Sequence, residues 1–117
     1  MAVQIEKLLE LAVQTRASDL HLTVGVPPVL RVDGRLRPVK SSSGPLRPDD
    51  TTALMRAITS ERLQQELAER GGVDFGFRYG DKGRFRVSVF RQKGMTGLVL
   101  RLIPQKLFDL DELGLPP

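Results

Sequence analysis

Apolar and polar positions alternate through much of the second half of the chain. Between residues 74 and 104 this alternation occurs in two runs, in which every second residue is apolar: Phe75, Phe77 and Tyr79, then Phe85, Val87 and Val89. A period of two is typical of half-buried strands, and with the apolar run that ends at residue 103 it predicts three strands. Glycine-containing segments at residues 80–83 and 94–97 separate the strands, which favours an antiparallel meander with tight turns.

The pattern upstream of the meander begins as a helix and changes to a strand. Apolar residues recur at helical spacing within residues 3–16, which predicts an amphipathic helix that packs one face on the sheet. Residues 18–24 then alternate with period two. This first strand is predicted to turn Leu20, Leu22 and Val24 inward and Asp19, His21 and Thr23 outward.

A hairpin is predicted within residues 29–39, around Asp33 and Gly34. A two-residue loop would place Leu36 opposite Arg31 and mix apolar with charged positions on one face. We therefore expect a three-residue loop, residues 32–34, with Leu30 paired to Leu36.

Two short helices are expected between the hairpin and the meander. Pro48 and the acids after it are typical of a first helical turn, Ser60 is a suitable cap for a second helix, and Gly71 and Gly72 end it. Residues 41–44 form a polar loop that we expect to be mobile, and residues 107–116 suggest a short capped turn. The elements together predict one α+β domain, an antiparallel sheet covered by an N-terminal helix and a two-helix insertion, over residues 1–117.

The amino-acid composition limits which kinds of functional site the chain can form. The chain of 117 residues has no cysteine and one histidine, which excludes disulfides and makes a multi-histidine metal site or a serine-histidine-aspartate triad improbable. No apolar run approaches the roughly 20 residues that span a bilayer. Nor does any glycine-lysine dipeptide occur, so residues 80–83 are not a phosphate-binding P-loop.

Positive charge is concentrated in the meander. Residues 73–106 contain eight basic and two acidic residues, a balance of +6 within a total of +4. Such a surface suits an anionic partner, although a solvated outer face is an equally good interpretation of charge alone. Arg84, Arg86 and Ser88 share one strand face. Arg101 lies between Val99 and Ile103, where an arginine is costly unless it is paired.

Five short motifs in this order resemble the N-terminal domain of the type IV pilus retraction ATPases, the PilT family of twitching motility. They cover nearly the whole chain, at residues 17–22, 25–34, 83–87, 100–104 and 112–116. The amphipathic helix that starts almost at Met1 also resembles the retraction branch, because related pilus-assembly and type II secretion ATPases usually carry a further domain before it.

The resemblance implies a PAS-like α+β domain that precedes a P-loop ATPase domain in a cytoplasmic homohexamer. That ring would act at the inner membrane with the pilus platform protein. Family members bind ATP with magnesium between the two domains, and by motif position Arg86 and Arg101, with Arg84 a weaker candidate, match the arginines that reach the phosphates. Asp19 and His21 match a strand near the domain interface. Since the Walker motifs are missing from this sequence, we expect no ATP hydrolysis by this chain alone.

Two other functions remain open at this point. The equivalent domain of a pilus-assembly or type II secretion ATPase would share several of the motifs. A nucleic-acid-binding module would use Phe77, Phe85 or Phe90 as stacking platforms on the basic sheet. Because most aromatic residues are predicted to face inward, we expect no nucleic acid partner. A small-molecule sensor ranks last, since no polar residue is predicted inside the core.

Overall fold

A computed structural model describes residues 4–39 and 44–103, which form three helices and six strands. In chain order they are α1 (Ile5–Thr15), β1 (Asp19–Leu22), β2 (Val29–Val32), β3 (Arg35–Pro38), α2 (Pro48–Ile58), α3 (Glu61–Arg70), β4 (Gly72–Tyr79), β5 (Gly83–Gln92) and β6 (Met95–Ile103). The expectations for residues 41–43, for Lys106 and for the segment 107–116 lie outside these ranges.

The strands form a single antiparallel sheet with the order β3-β2-β1-β6-β5-β4. Two local units, the β2–β3 hairpin and the β4–β6 meander, are joined through β1, which pairs with β2 on one side and with β6 on the other. The predicted α+β class, with a meander and a two-helix insertion, is confirmed.

One face of the sheet carries the hydrophobic core. Leu20, Phe85, Val87 and Leu100 are almost completely buried on this face, which the helices cover. Helix α1 contributes the apolar stripe that its spacing predicted, formed by Ile5, Leu8, Leu9 and Ala12. Because alternate strand residues point to opposite faces, burial of one set leaves the other set on the far side of the sheet.

The helix ends follow the sequence signals. Pro48 occupies the first turn of α2, where the Asp50 carboxylate accepts a hydrogen bond of 2.9 Å from the Arg47 N–H. The Ser60 hydroxyl caps α3 by accepting from the Leu63 N–H at 3.3 Å. Gly71 ends α3 at φ +81°, a conformation that glycine adopts without steric cost.

The predicted register of the first hairpin is wrong. Asp33 (φ +53°) and Gly34 (φ +79°) form a two-residue loop, so Leu36 does pair with Arg31. The prediction assumed that β3 has an inward apolar face. Instead β3 is an edge strand with every residue exposed, and Leu36 is 59% exposed, so no core contact opposes the tighter turn.

The second meander turn is also shorter than predicted. Lys93 (φ +54°) and Gly94 (φ +78°) make the turn, whereas residues 95–97 belong to β6. Gly97 is needed for packing and not for the turn. The Phe90 ring occupies the space that a side chain at position 97 would take, and an added Cβ would lie 2.5 Å from a ring carbon. Strand β1 likewise ends early, at Leu22, and Val24 forms an isolated bridge with Leu46.

Candidate anion-binding face

The sheet face opposite the helices, here called the open face, carries most of the candidate residues. It is formed by the outward positions of the strands, among them Asp19, His21, Val29, Arg31, Asp74, Arg84, Arg86, Ser88, Val99, Arg101 and Ile103. Strand pairing therefore brings together residues that are distant in the chain, such as Asp19 and Arg101, which are 82 positions apart.

A charged row crosses the centre of the open face. Arg86 lies opposite Arg101, Arg101 opposite Asp19, and Asp19 opposite Arg31. The predicted phosphate ligands and the predicted interface aspartate are thus direct cross-strand neighbours. Arg84 lies one position further along, between Arg78 and Ile103.

Asp19 holds the arginines on both sides of it. Its Oδ1 is 3.4 Å from Nε of Arg101 and its Oδ2 is 3.7 Å from Nε of Arg31, while the Ser18 hydroxyl donates to Oδ2 at 3.1 Å. The Asp19 side chain is only 13% exposed, whereas that of Arg101 is 75% exposed. The sequence indicated that an arginine between Val99 and Ile103 would be costly unless paired, and Arg101 is ion-paired with Asp19 while most of its side chain faces solvent.

Arg86 has a different environment. No side-chain hydrogen bond or ion pair joins it to the described part of the chain. It lines a shallow concavity of about 280 Å³ together with Asp74, Gly76 and Ile103. Because Arg101 lies directly opposite, two like charges are adjacent on β5 and β6, an arrangement that an anion between them would relieve.

His21 lies on the open face between Val29 and Val99. Its Nε2 atom is buried and has no hydrogen-bond partner among residues 4–39 and 44–103. A buried polar atom without a partner lowers stability unless another group supplies the bond. The sequence placed His21 on the correct face, but the burial of its Nε2 atom depends on tertiary packing and has no local sequence signal.

Aromatic side chains are scarce on the open face. Phe75, Phe77, Tyr79 and Phe85 belong to the set that faces the helices. Of the aromatic residues that the structure describes, only Phe90 lies on the open face, where it covers Gly97. A row of stacking platforms for bases is therefore not formed by this part of the chain.

A second polar cluster, missed by the sequence reasoning, connects α1 to the β4–β5 turn. The Tyr79 hydroxyl donates to Oε1 of Glu10 at 3.0 Å, and the Lys82 ammonium donates to the same oxygen. Lys82 and then Tyr79 lower the pKa of the Glu10 carboxyl, and Glu10 raises the pKa of Lys82. Since 69 residues separate Glu10 from Tyr79, no local pattern could have indicated this contact.

The described residues contain no cluster of three or more histidine, aspartate or glutamate side chains that could hold a metal ion. In the same ranges, none of the three helices has the length and apolar character needed to cross a membrane.

Comparison with known proteins gives consistent matches over almost the whole chain. No family model matches. The type IV pilus ATPase PilU of Pseudomonas aeruginosa is 40% identical over 114 residues, 97% of this chain and 29% of PilU. The pilus retraction ATPase PilT of the same organism is 36% identical over 113 residues, 97% of this chain and 32% of PilT.

Solved structures also match this chain over most of its length. A crystal structure of the pilus retraction motor PilT with bound ADP matches with a TM-score of 0.79 and 40% identity, over 88% of this chain and 30% of that one. The Legionella pneumophila ATPase DotB matches with a TM-score of 0.69 over 86% of this chain, and at 24% identity it supports the fold alone.

The chain spans about 30% of the length of these relatives. The sequence matches and the structural match to PilT cover nearly all of the described residues. They identify the chain as homologous to the N-terminal region of the type IV pilus ATPases PilT and PilU.

Proposed function

We propose that this chain is the N-terminal, nucleotide-contacting and subunit-interface domain of a hexameric ATPase motor that powers type IV pilus retraction. The observation that carries the proposal is the adjacency of Arg86 and Arg101 on the exposed open face. The PilT structure that shares this fold binds ADP, so a nucleotide is a reasonable anion for the pair.

In this proposal Arg86 and Arg101 bind nucleotide phosphate from the open face. Arginine suits the task because its guanidinium keeps its charge and offers several donors in a fixed geometry. The Arg86 guanidinium can bind an anion without breaking an ion pair within the described residues. Arg101 uses Nε toward Asp19, which leaves its terminal nitrogens for an anion. Arg84 is the weaker third candidate.

Asp19 and His21 take the interface role. Asp19 orients Arg101 and Arg31 at once, so it fixes the spacing of positive charge across the row. The buried Nε2 of His21 is a point where a group from another domain would add a missing hydrogen bond.

The remaining parts of the motor are proposed to come from outside this chain. A P-loop ATPase domain of the same or a neighbouring subunit would bind ATP and magnesium, since the described residues gather no carboxylates suited to a metal. The PAS-like description, the homohexamer, the platform protein as partner and the cytoplasmic position at the inner membrane belong to the same proposal.

The proposal is tested by ATP turnover in the full-length protein that contains this chain. Arg86→Ala is expected to lower turnover by on the order of 10-fold to 1000-fold, the scale of losing one donor that stabilises developing charge. Arg35→Ala, on the exposed edge strand β3, is the matched control and should leave turnover unchanged. Equal turnover in both variants would contradict the nucleotide role.

A pilus-assembly or type II secretion motor is the alternative within the same superfamily. Pilus retraction measured in cells separates the two, because loss of the gene should abolish retraction while surface pili persist if the proposal is correct. Loss of surface pili would instead assign the chain to an assembly motor.

A further inference from the structure

The two edges of the sheet differ in how well they are protected against pairing with another strand. At one edge, β3 has four residues, ends in Pro38, and directs Arg35 and Arg37 to the helix-covered side. Short length, proline and inward-pointing charge are features that prevent edge-to-edge association. The β3 edge is therefore unsuited to strand addition.

The other edge, β4, has none of these features. It has eight residues without proline or lysine, and no other described strand pairs with its outer side. The carbonyl of Gly71 accepts from the Arg91 N–H at 2.9 Å, so the odd-numbered residues form the ladder with β5. In an antiparallel ladder, the main-chain N–H and C=O groups of the alternate residues point away from the paired strand. Gly72, Asp74, Gly76 and Arg78 thus direct their main-chain groups outward.

The sequence of β4 is complementary to itself in the antiparallel direction. A pairing centred on Gly76 places Asp74 of each copy opposite Arg78 of the other, on the open face. The same register places Phe75 opposite Phe77 and Val73 opposite Tyr79 on the helix-covered side. Opposite charges and apolar pairs at directly facing positions are the contacts that stabilise such a ladder.

We propose that two copies of this chain associate through their β4 edges, with a two-fold axis at Gly76, into a continuous twelve-stranded sheet with six strands from each copy. The symmetry makes both charge pairs form together, because a two-fold contact uses the same surface of each copy. The edge geometry of β4 carries this proposal, and the dimer needs no nucleotide, although Asp74 and Gly76 also line the concavity beside Arg86.

The association is expected to be weak. One strand pair gives about six main-chain hydrogen bonds and a contact area below that of a standard interface. A dissociation constant on the order of 0.1 mM is expected, since such small contacts barely exceed the entropic cost of association. The dimer should therefore be visible by sedimentation equilibrium of the 117-residue chain at high protein concentration.

Charge reversal tests the register. Arg78→Asp creates two Asp–Asp pairs per dimer and should weaken association about tenfold or more. The swapped variant with Asp74→Arg and Arg78→Asp restores opposite charges and should recover most of the loss. Arg35→Asp, which makes the same charge change at the β3 edge, should leave association unchanged. Equal weakening by Arg35→Asp, or no recovery in the swap, would overturn the proposal.

Cysteine cross-linking gives a second, independent readout. The chain has no cysteine, and a Cβ on Gly76 meets nothing within 4 Å, so Gly76→Cys is expected to fold. In the proposed dimer the two Cα atoms at position 76 lie about 5.5 Å apart, within the range for a disulfide. Mild oxidation should yield covalent dimer from Gly76→Cys and far less from Arg35→Cys. Similar yields from the two variants, or a chain that remains monomeric at 1 mM, would refute the inference.

Discussion

Asp19 and Arg101 face each other directly across β1 and β6, with Oδ1 and Nε 3.4 Å apart. The carboxylate lies largely within the sheet surface and the guanidinium largely in solvent. This asymmetry suggests that Asp19 acts as a fixed support and Arg101 as the group that can reach another molecule.

Asp19→Ala is expected to change the unfolding free energy of the chain by less than about 1 kcal/mol, because both of its arginine partners are exposed and ion pairs to exposed side chains contribute little. Urea denaturation measures the change. Leu100→Ala, at a fully buried position on β6, is the control and should cost about 2–5 kcal/mol. A loss for Asp19→Ala as large as this control would assign the residue to the fold. In the full-length protein, Asp19→Ala should still reduce ATP turnover.

Arg101→Leu is expected to be neutral or to destabilise the chain by up to about 1 kcal/mol, since it removes an exposed pair. A double-mutant cycle of Asp19→Ala with Arg101→Leu should give a coupling of about 0.2–1 kcal/mol. The coupling should shrink in 1 M salt, where screening extends over only about 3 Å. A coupling of zero at low salt would show that the pair does not form in solution.

The contact of Glu10 with Lys82 and Tyr79 predicts how stability depends on pH. Lys82 lowers the pKa of Glu10. The contribution of the ionised Glu10 carboxylate to folding stability is therefore present above the ordinary pKa of 4.5, and it is lost as the pH falls through the lowered pKa. The raised pKa of Lys82 contributes below its ordinary value of 10.5, and that contribution is lost as the pH rises through the raised pKa. Melting temperatures of Glu10→Gln should accordingly vary less than wild type at both extremes. A variant with an unchanged pH profile would contradict the role of this contact.

Gly97→Ala tests the packing of Phe90. The new methyl group would lie 2.5 Å from the ring, so the ring must move, at an expected cost of about 1–2 kcal/mol. In a Phe90→Ala background the same substitution should cost much less, because the obstacle is gone. Chemical denaturation of the four proteins gives the comparison. A penalty that persists without Phe90 would place the strain in the backbone.

The sequence predicted the elements better than the contacts between them. Periodicity located the three helices and the strands because each helix or strand buries one regular face. The first hairpin was misregistered because Leu36 was assumed to need burial, whereas an edge strand has no such need. The pairing of Asp19 with Arg101 could not be predicted, since it depends on the register between β1 and β6, which are separated by more than 70 residues.

The position of β1 has a consequence for how the protein is made. Strand β1 is synthesised early, but its partner β6 is the last strand of the described chain. The β2–β3 hairpin and the two-helix insertion can form from local contacts as they emerge from the ribosome, whereas the central strand keeps one side unpaired until residue 103 has been made. Contacts between distant segments form slowly, and a strand edge that is still unpaired favours aggregation until its partner strand has formed. Ribosome stalling before β6 should therefore leave a nascent chain that is protease-sensitive and recruits chaperones.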